Sequence, residues 1–145
     1  MTRGLLLDSH ILLWLAAEVK IRHRAQFEIA SAKADNRLYM SDISIWEMGV
    51  ALHKKSFERR PDLQGLSIEA WFRKTTTVFG VQRLRISGRI ALEAAEVPAV
   101  YGSGDPGDCF LIATARIRKL SLVTHDGRIT QLASREPSYL TVVPC

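Results

Sequence analysis

Leu5-Leu6-Leu7-Asp8-Ser9-His10-Ile11-Leu12-Leu13-Trp14 is the stretch on which the fold turns. Three consecutive leucines closed by Asp8-Ser9 predict a short strand buried on both faces, because a strand with one wet face alternates apolar and polar residues. Ile11 to Ala17 then continues as a helix, the order in which a strand feeds an α/β layer. The same opening imitates a secretory leader: Arg3 precedes an apolar run that ends in small residues. Asp8 and His10 oppose that reading, since a carboxylate inside so short a run resists membrane insertion, and the run falls below the ~20 residues of a spanning helix. It is read as folded core, which predicts no membrane association and a cytoplasmic address.

Outward from this stretch the pattern repeats. Ile21 to Ala34 has apolar residues near helical spacing, Leu38-Tyr39-Met40 reads as a strand, and a helix is expected from about Asp42 to Lys54. His53 to Gly65 is a polar, basic connection containing Lys54, Lys55, Arg59, Arg60 and Pro61. It predicts a surface excursion within a single domain spanning 1–145, because neither flanking half is long enough to fold comfortably alone. Ser67 caps a helix over Ile68 to Phe79, and Val81 to Ile86 alternates like a strand. Ser87 to Val97 reads as a helix stopped by Pro98, followed by the loop Tyr101-Gly-Ser-Gly. Asp105-Pro106 predicts a capped helix with Pro at its first position, running to about Lys119. Ser121 to Thr124 is a buried strand, Asp126-Gly127 a turn, Ile129 to Ala133 a short helix and Leu140 to Val143 the last strand. This β-α alternation makes a parallel-sheet α/β sandwich the economical architecture.

At 145 residues and 47% apolar content the chain can bury a sizeable core. Its 20 Lys+Arg against 15 Asp+Glu leave +5, which suits a polyanionic partner without demanding one. Cys109 and Cys145 match neither a zinc spacing nor a disulfide framework, which predicts free thiols in a reducing compartment.

The chemistry is sought among acids that follow strands, where ligands of an open parallel sheet collect. Asp8 and Asp126 stand there. Each also has a purely structural reading, Asp8 as the start of a helix and Asp126-Gly127 as a turn dipeptide. Glu47 is the only charge between Ile43 and Leu52, so it must reach a donor, a cation or solvent. Ser44 and Glu47 match a capping box, whereas a cap at Ser41 or Asp42 leaves Glu47 internal. Asp105 and Asp108 bracket Pro106-Gly107 at a helix amino end, which favours negative charge; Asp105 is better explained as the cap, and Asp108 remains a ligand candidate. Acids gathered in one place raise each other's pKa values unless a hard cation neutralises them. Oxygen-only ligation favours Mg²⁺ or Mn²⁺, the ions that phosphodiester hydrolysis uses.

With these residues together, the chain resembles PIN domains, and in particular VapC-like toxins of type II toxin-antitoxin systems. The resemblance rests on Leu-Leu-Leu-Asp8-Ser9-His10-Ile-Leu-Leu-Trp14, Ser44-Ile-Trp-Glu47, Asp105-Pro-Gly-Asp108-Cys-Phe-Leu-Ile-Ala and Leu122-Val-Thr124-His-Asp126, in the family's order and spacing across nearly the whole chain. It implies a PIN-like three-layer sandwich: a central, mostly parallel sheet of four to five strands flanked by helices. It further implies an endoribonuclease using Mg²⁺ or Mn²⁺, with Asp8 and Asp108 as main direct ligands and Glu47 and Asp126 completing the site directly or through water. Ser9 and Thr124 are expected to support neighbouring carboxylates, and Asp105 to shape the helix entrance. RNA hydrolysis by metal-activated water, a homodimer and a VapB-like antitoxin partner follow from the same resemblance.

The chain also departs from the family. Cys109 stands where related toxins commonly carry Arg, Gly107 replaces a bulkier residue, Gly102-Ser103-Gly104 lacks a basic pair, and His125 is unusual and read as surface. These departures bear on antitoxin contacts and substrate positioning more than on the acids. The basic connection from His53 to Arg60 could touch RNA or an acidic antitoxin, with a solvated charged face the simpler reading. Aspartyl-phosphate phosphatases are disfavoured because His10 occupies the position of their second Asp. A PIN module that binds RNA or protein without cutting is the alternative, against which stands the retention of all the acids.

Overall fold

The computed structural model describes residues 2–54 and 60–145. Lys55 and Arg59 of the basic connection lie outside the described residues. The elements run β1 (Leu5–Leu7), α1 (Ser9–Ala16), α2 (His23–Ala34), β2 (Leu38–Ser41), α3 (Ile43–Ala51), α4 (Ile68–Phe79), β3 (Gln82–Leu84), α5 (Gly88–Tyr101), α6 (Pro106–Arg118), β4 (Ser121–Thr124), α7 (Gly127–Arg135) and β5 (Val142–Pro144). The strands form a five-stranded sheet in the order β3-β2-β1-β4-β5, with every pairing parallel.

The leucine triplet takes the central place that its unbroken hydrophobicity demands. Leu5 and Leu7 point into one core with Leu38, Met40 and Val123, where Ile11 and Leu12 of α1, Ile29 of α2 and Trp71 and Phe72 of α4 pack. Leu6 points to the other side with Leu84 and Leu122, against Ile90 and Val97 of α5, Leu111 and Ile112 of α6 and Ile129 and Leu132 of α7. Alternate residues of each strand thus serve opposite cores, and helices cover both faces. This is the expected three-layer sandwich.

Chain order reverses direction at β1, whose neighbours are β2 on one side and β4 on the other. Such a switch point leaves a crevice beyond the carboxyl ends of the strands. The register Leu7↔Val123 places the residue after β1 beside the end of β4. β5 is an edge strand, which is why it tolerates Pro144.

Pro98 does not stop its helix. α5 runs on to Tyr101 and is closed by Gly102 in the left-handed conformation, whose N–H donates to the Pro98 carbonyl. Proline forfeits one helical hydrogen bond, but Val97 and Tyr101 on either side of it are buried in the core that α5 shares with α6, and this packing carries the last turn through. Other boundaries shift by a few residues: β3 is shorter than Val81 to Ile86, and α7 longer than Ile129 to Ala133. Replacing Pro98 with Ala is expected to leave α5 intact and to raise stability by roughly 1 kcal/mol in urea denaturation, less than the ~3 kcal/mol of a helix-interior proline because the unfolded chain also gains freedom.

Candidate active site

Asp8 leaves β1 and begins α1. Its Oδ1 accepts from the His10 N–H at 3.1 Å, the capping role read from sequence, while its Oδ2 accepts from Thr124 Oγ1 at 2.6 Å. The second bond exists because β1 and β4 pair in register, bringing together residues 116 apart in the chain. Thr124 Oγ1 also accepts from the Asp126 N–H at 3.0 Å, so one hydroxyl ties both strand-end acids. Asp126 then caps α7, its Oδ1 accepting from the N–H groups of Arg128 and Ile129.

α3 starts at Ile43, whose N–H donates to Ser41 Oγ at 3.1 Å. Ser44 therefore lies inside the helix and Glu47 is internal, which removes the capping-box reading. Glu47 turns toward α1 instead, where Ser9 Oγ donates to its Oε1 at 3.0 Å and is also hydrogen-bonded to Ser44 Oγ at 2.9 Å. Room for this carboxylate is made by Gly107 on α6. A Cβ at Gly107 would overlap the Glu47 carboxylate, so the glycine that departs from the family's bulkier residue is what lets Glu47 reach the crevice.

Asp105 caps α6 by accepting from the Asp108 N–H at 3.0 Å. Asp108 on that first turn directs its Oδ2 at Tyr101, whose hydroxyl donates to it at 2.7 Å. Tyr101 does not stand out as a site residue in the sequence, because Pro98 predicts that the helix ends before it. The signal was present in Gly102, a residue suited to the left-handed cap one position beyond a helix end.

Glu47 and Asp108 each feel the charge of neighbouring acids. Burial, opposed by the Ser9 hydrogen bond and reinforced by Asp8, Asp108 and Asp105, raises the Glu47 carboxyl from 4.5 to about 7. Burial, opposed by the Tyr101 hydrogen bond and reinforced by Asp105, Asp126 and Asp8, raises Asp108 from 3.8 to about 6. The tertiary structure thus gathers the sequence-predicted acids at one edge of the sheet. Among the described residues, no three or more His, Cys, Asp or Glu form a ready-made ion cage. A groove of about 620 Å³ opens beside the acids between α1 and α3, with Trp14, Trp46, Glu47, Lys54 and Asp105 among its lining. His125 is exposed as expected but tied down, its ring 4.9 Å from Trp14 and its Nδ1 2.8 Å from the Cys145 carbonyl. Both cysteines are free and buried, and no helix among the described residues is long and apolar enough to cross a membrane.

The family model of the PIN domain matches residues 5–134. The chain belongs to the PIN domain family. No sequence match was found among curated proteins. Solved structures similar to this PIN domain include a toxin-antitoxin complex from Klebsiella pneumoniae, at 20% identity and a TM-score of 0.59 over 97% of this chain and 96% of that one. VapBC2 from Rickettsia felis, bound to a DNA fragment from its promoter, is similar at 14% identity and a TM-score of 0.64, covering 97% of both chains. DNA-bound VapBC from Salmonella typhimurium is similar at 14% identity and a TM-score of 0.63, covering 99% of this chain and 98% of that one. At these identities the likeness is one of fold.

The raised carboxyls of this PIN domain set its pH response. Glu47 and Asp108 hold protons in the folded chain at pH values where the unfolded chain has lost them, so stability is fullest below about 4 and falls as pH rises through about 6 to 7. Glu47→Gln should therefore stabilise the metal-free protein at pH 8 by about 2 kcal/mol, discounted for the part of the side chain left in water, with the gain vanishing near pH 4. Urea denaturation in EDTA at both pH values measures it. Gly107→Ala should change stability by less than about 1 kcal/mol in the same assay, because the methyl group meets the far end of the flexible Glu47 side chain, which swings aside, and alanine is the better helix former.

Proposed function

We propose that this PIN domain is a divalent-metal-dependent endoribonuclease acting as the toxin of a toxin-antitoxin pair. The observation that supports it most is the convergence of Asp8, Glu47, Asp108 and Asp126 beyond the switch point of the sheet, where the folded chain raises two of them instead of pairing them with cations. Such an arrangement is costly unless a ligand repays it, and a hard divalent ion is the ligand that oxygen donors select. Asp8 and Asp108 are the direct holders in this reading, with Glu47 and Asp126 acting directly or through water. Mg²⁺ or Mn²⁺ bound there supplies activation of water and neutralisation of charge on the phosphate.

The chain's own residues do the positioning. Thr124 fixes the Asp8 carboxylate and the entry to α7, Ser9 fixes Oε1 of Glu47, and Tyr101 fixes Oδ2 of Asp108. Each of these three hydroxyls holds one carboxylate oxygen in place. Asp105 sets the first turn of α6 on which Asp108 stands. The groove beside Glu47 is open to RNA or to an antitoxin segment. RNA is the proposed substrate class by the chain's resemblance to VapC-like toxins, and its net charge of +5 suits a polyanionic partner. A homodimer, a VapB-like antitoxin as partner and a cytoplasmic location complete the proposal. The antitoxin partner is supported by the solved complexes of similar fold, which are toxin-antitoxin assemblies.

Purified protein should cleave a structured RNA in Mg²⁺ or Mn²⁺ and be silent in EDTA, and Asp8→Asn should lower the rate at least ~10³-fold while leaving the circular dichroism spectrum unchanged. Full activity in EDTA, or undiminished cutting by Asp8→Asn, would overturn the mechanism. Binding of the divalent ion by a folded wild-type protein that cuts no RNA would favour the non-cutting alternative. A neighbouring gene for a short protein with a DNA-binding amino end is expected, and co-expression with it should relieve growth arrest.

A further inference from the structure

An acidic cup that receives a phosphodiester needs a cation of its own chain at the rim, or repulsion keeps the chain of phosphates out. The charged neighbours that act on Glu47 and Asp108 are all acids. Cys109, next to Asp108, is buried and brings no charge. Lys54 and Arg60 line the groove on the Glu47 side, and on the Asp108 side the cation is Arg128, which acts on Tyr101.

Arg128 stands on the first turn of α7, two residues after Asp126. Its guanidinium lies 5.8 Å from the centroid of the Tyr101 ring, while the hydroxyl of that same ring donates to Asp108 at 2.7 Å. A guanidinium beside carboxylates ordinarily folds onto one of them. Here Asp126 Oδ1 accepts from the backbone N–H groups of Arg128 and Ile129 and Asp108 Oδ2 from Tyr101, while the Arg128 guanidinium lies against the tyrosine ring instead. Arg128 is exposed and makes no ion pair among the described residues. The result is a planar, always-charged donor fork, steadied on an aromatic face and open to solvent at the lip of the site, the form in which arginine binds phosphate bidentately.

We propose that Arg128 is the residue of this chain that grips the RNA backbone beside the acidic site, and that Tyr101 is a positioning residue serving both partners of the reaction: its ring seats Arg128 and its hydroxyl orients Asp108. The inference rests on the ribonuclease reading.

Binding of a short fluorescein-labelled single-stranded RNA to the Asp8→Asn protein in Mg²⁺, followed by anisotropy over a range of salt, tests it. Arg128→Gln in that background should weaken binding roughly 5- to 20-fold near 0.1 M salt and reduce the slope of log K against log salt by about 0.7, the loss of one phosphate contact to a single strand. Arg128→Lys should keep the slope but lose part of the affinity, because the charge survives and the fork does not. Tyr101→Phe, which retains the ring, should leave RNA binding near the parent value yet weaken Mn²⁺ binding to the otherwise wild-type protein several-fold by calorimetry; Tyr101→Leu should impair both. Unchanged affinity and slope in Arg128→Gln would overturn the role of Arg128 and leave the ribonuclease reading standing. Unchanged Mn²⁺ affinity in Tyr101→Phe would overturn the role of Tyr101. Failure of the Asp8→Asn parent to bind RNA at all would count against the ribonuclease reading itself.

Discussion

Repulsion among half-buried carboxylates is the constraint around which this PIN domain is arranged. Burial is the largest cost of charge on Glu47 and Asp108, and neighbouring acids add to it: Asp8, Asp108 and Asp105 at Glu47, and Asp105, Asp126 and Asp8 at Asp108. The fold answers with neutral donors in place of cations. Thr124 holds Asp8, Ser9 holds Glu47, Tyr101 holds Asp108, and the amino end of α7 holds Asp126. Hydroxyls and N–H groups steady the carboxylates without neutralising them, so the negative potential survives for a ligand to use.

Nearly every one of those donors reaches the site through the sheet or a helix contact, not through local sequence. Thr124 meets Asp8 because β1 and β4 are parallel neighbours. Ser9 meets Glu47 because α1 and α3 leave adjacent strands on the same edge, and Gly107 keeps α6 from filling the space between them. Tyr101 meets Asp108 because α5 continues through Pro98 and turns at Gly102 into α6. A rigid two-sided core beneath the edge, with Trp71 and Phe72 on one face and Leu111 and Ile112 on the other, prevents these acids from drifting apart to relieve their repulsion.

Two residues that look like departures turn out to be adaptations of the site's shape. Gly107 has no side chain where Glu47 needs room. Cys109 is a small buried neighbour of Asp108 whose thiol reaches only the Ser103 carbonyl, at 3.5 Å, and leaves the rim to Arg128 on another element. Substitutions at a site are thus coupled through space: the size of one residue on α6 decides where a carboxylate of α3 can lie.

The layer architecture is legible in the linear chain, because an unbroken leucine strand, apolar periodicity and capping residues are local signals whose physics is complete within a few residues. The linear chain also marks Asp8, Glu47, Asp108 and Asp126 as the acids to watch, since charge at strand ends or inside apolar runs needs a reason wherever it occurs. That Ser44 is not a cap, that Pro98 lies within a helix, and that Tyr101 and Arg128 stand beside Asp108 emerge from the folded chain alone. Each of those outcomes balances a local preference against packing with residues far away in the chain, and a linear pattern holds no record of distance in space.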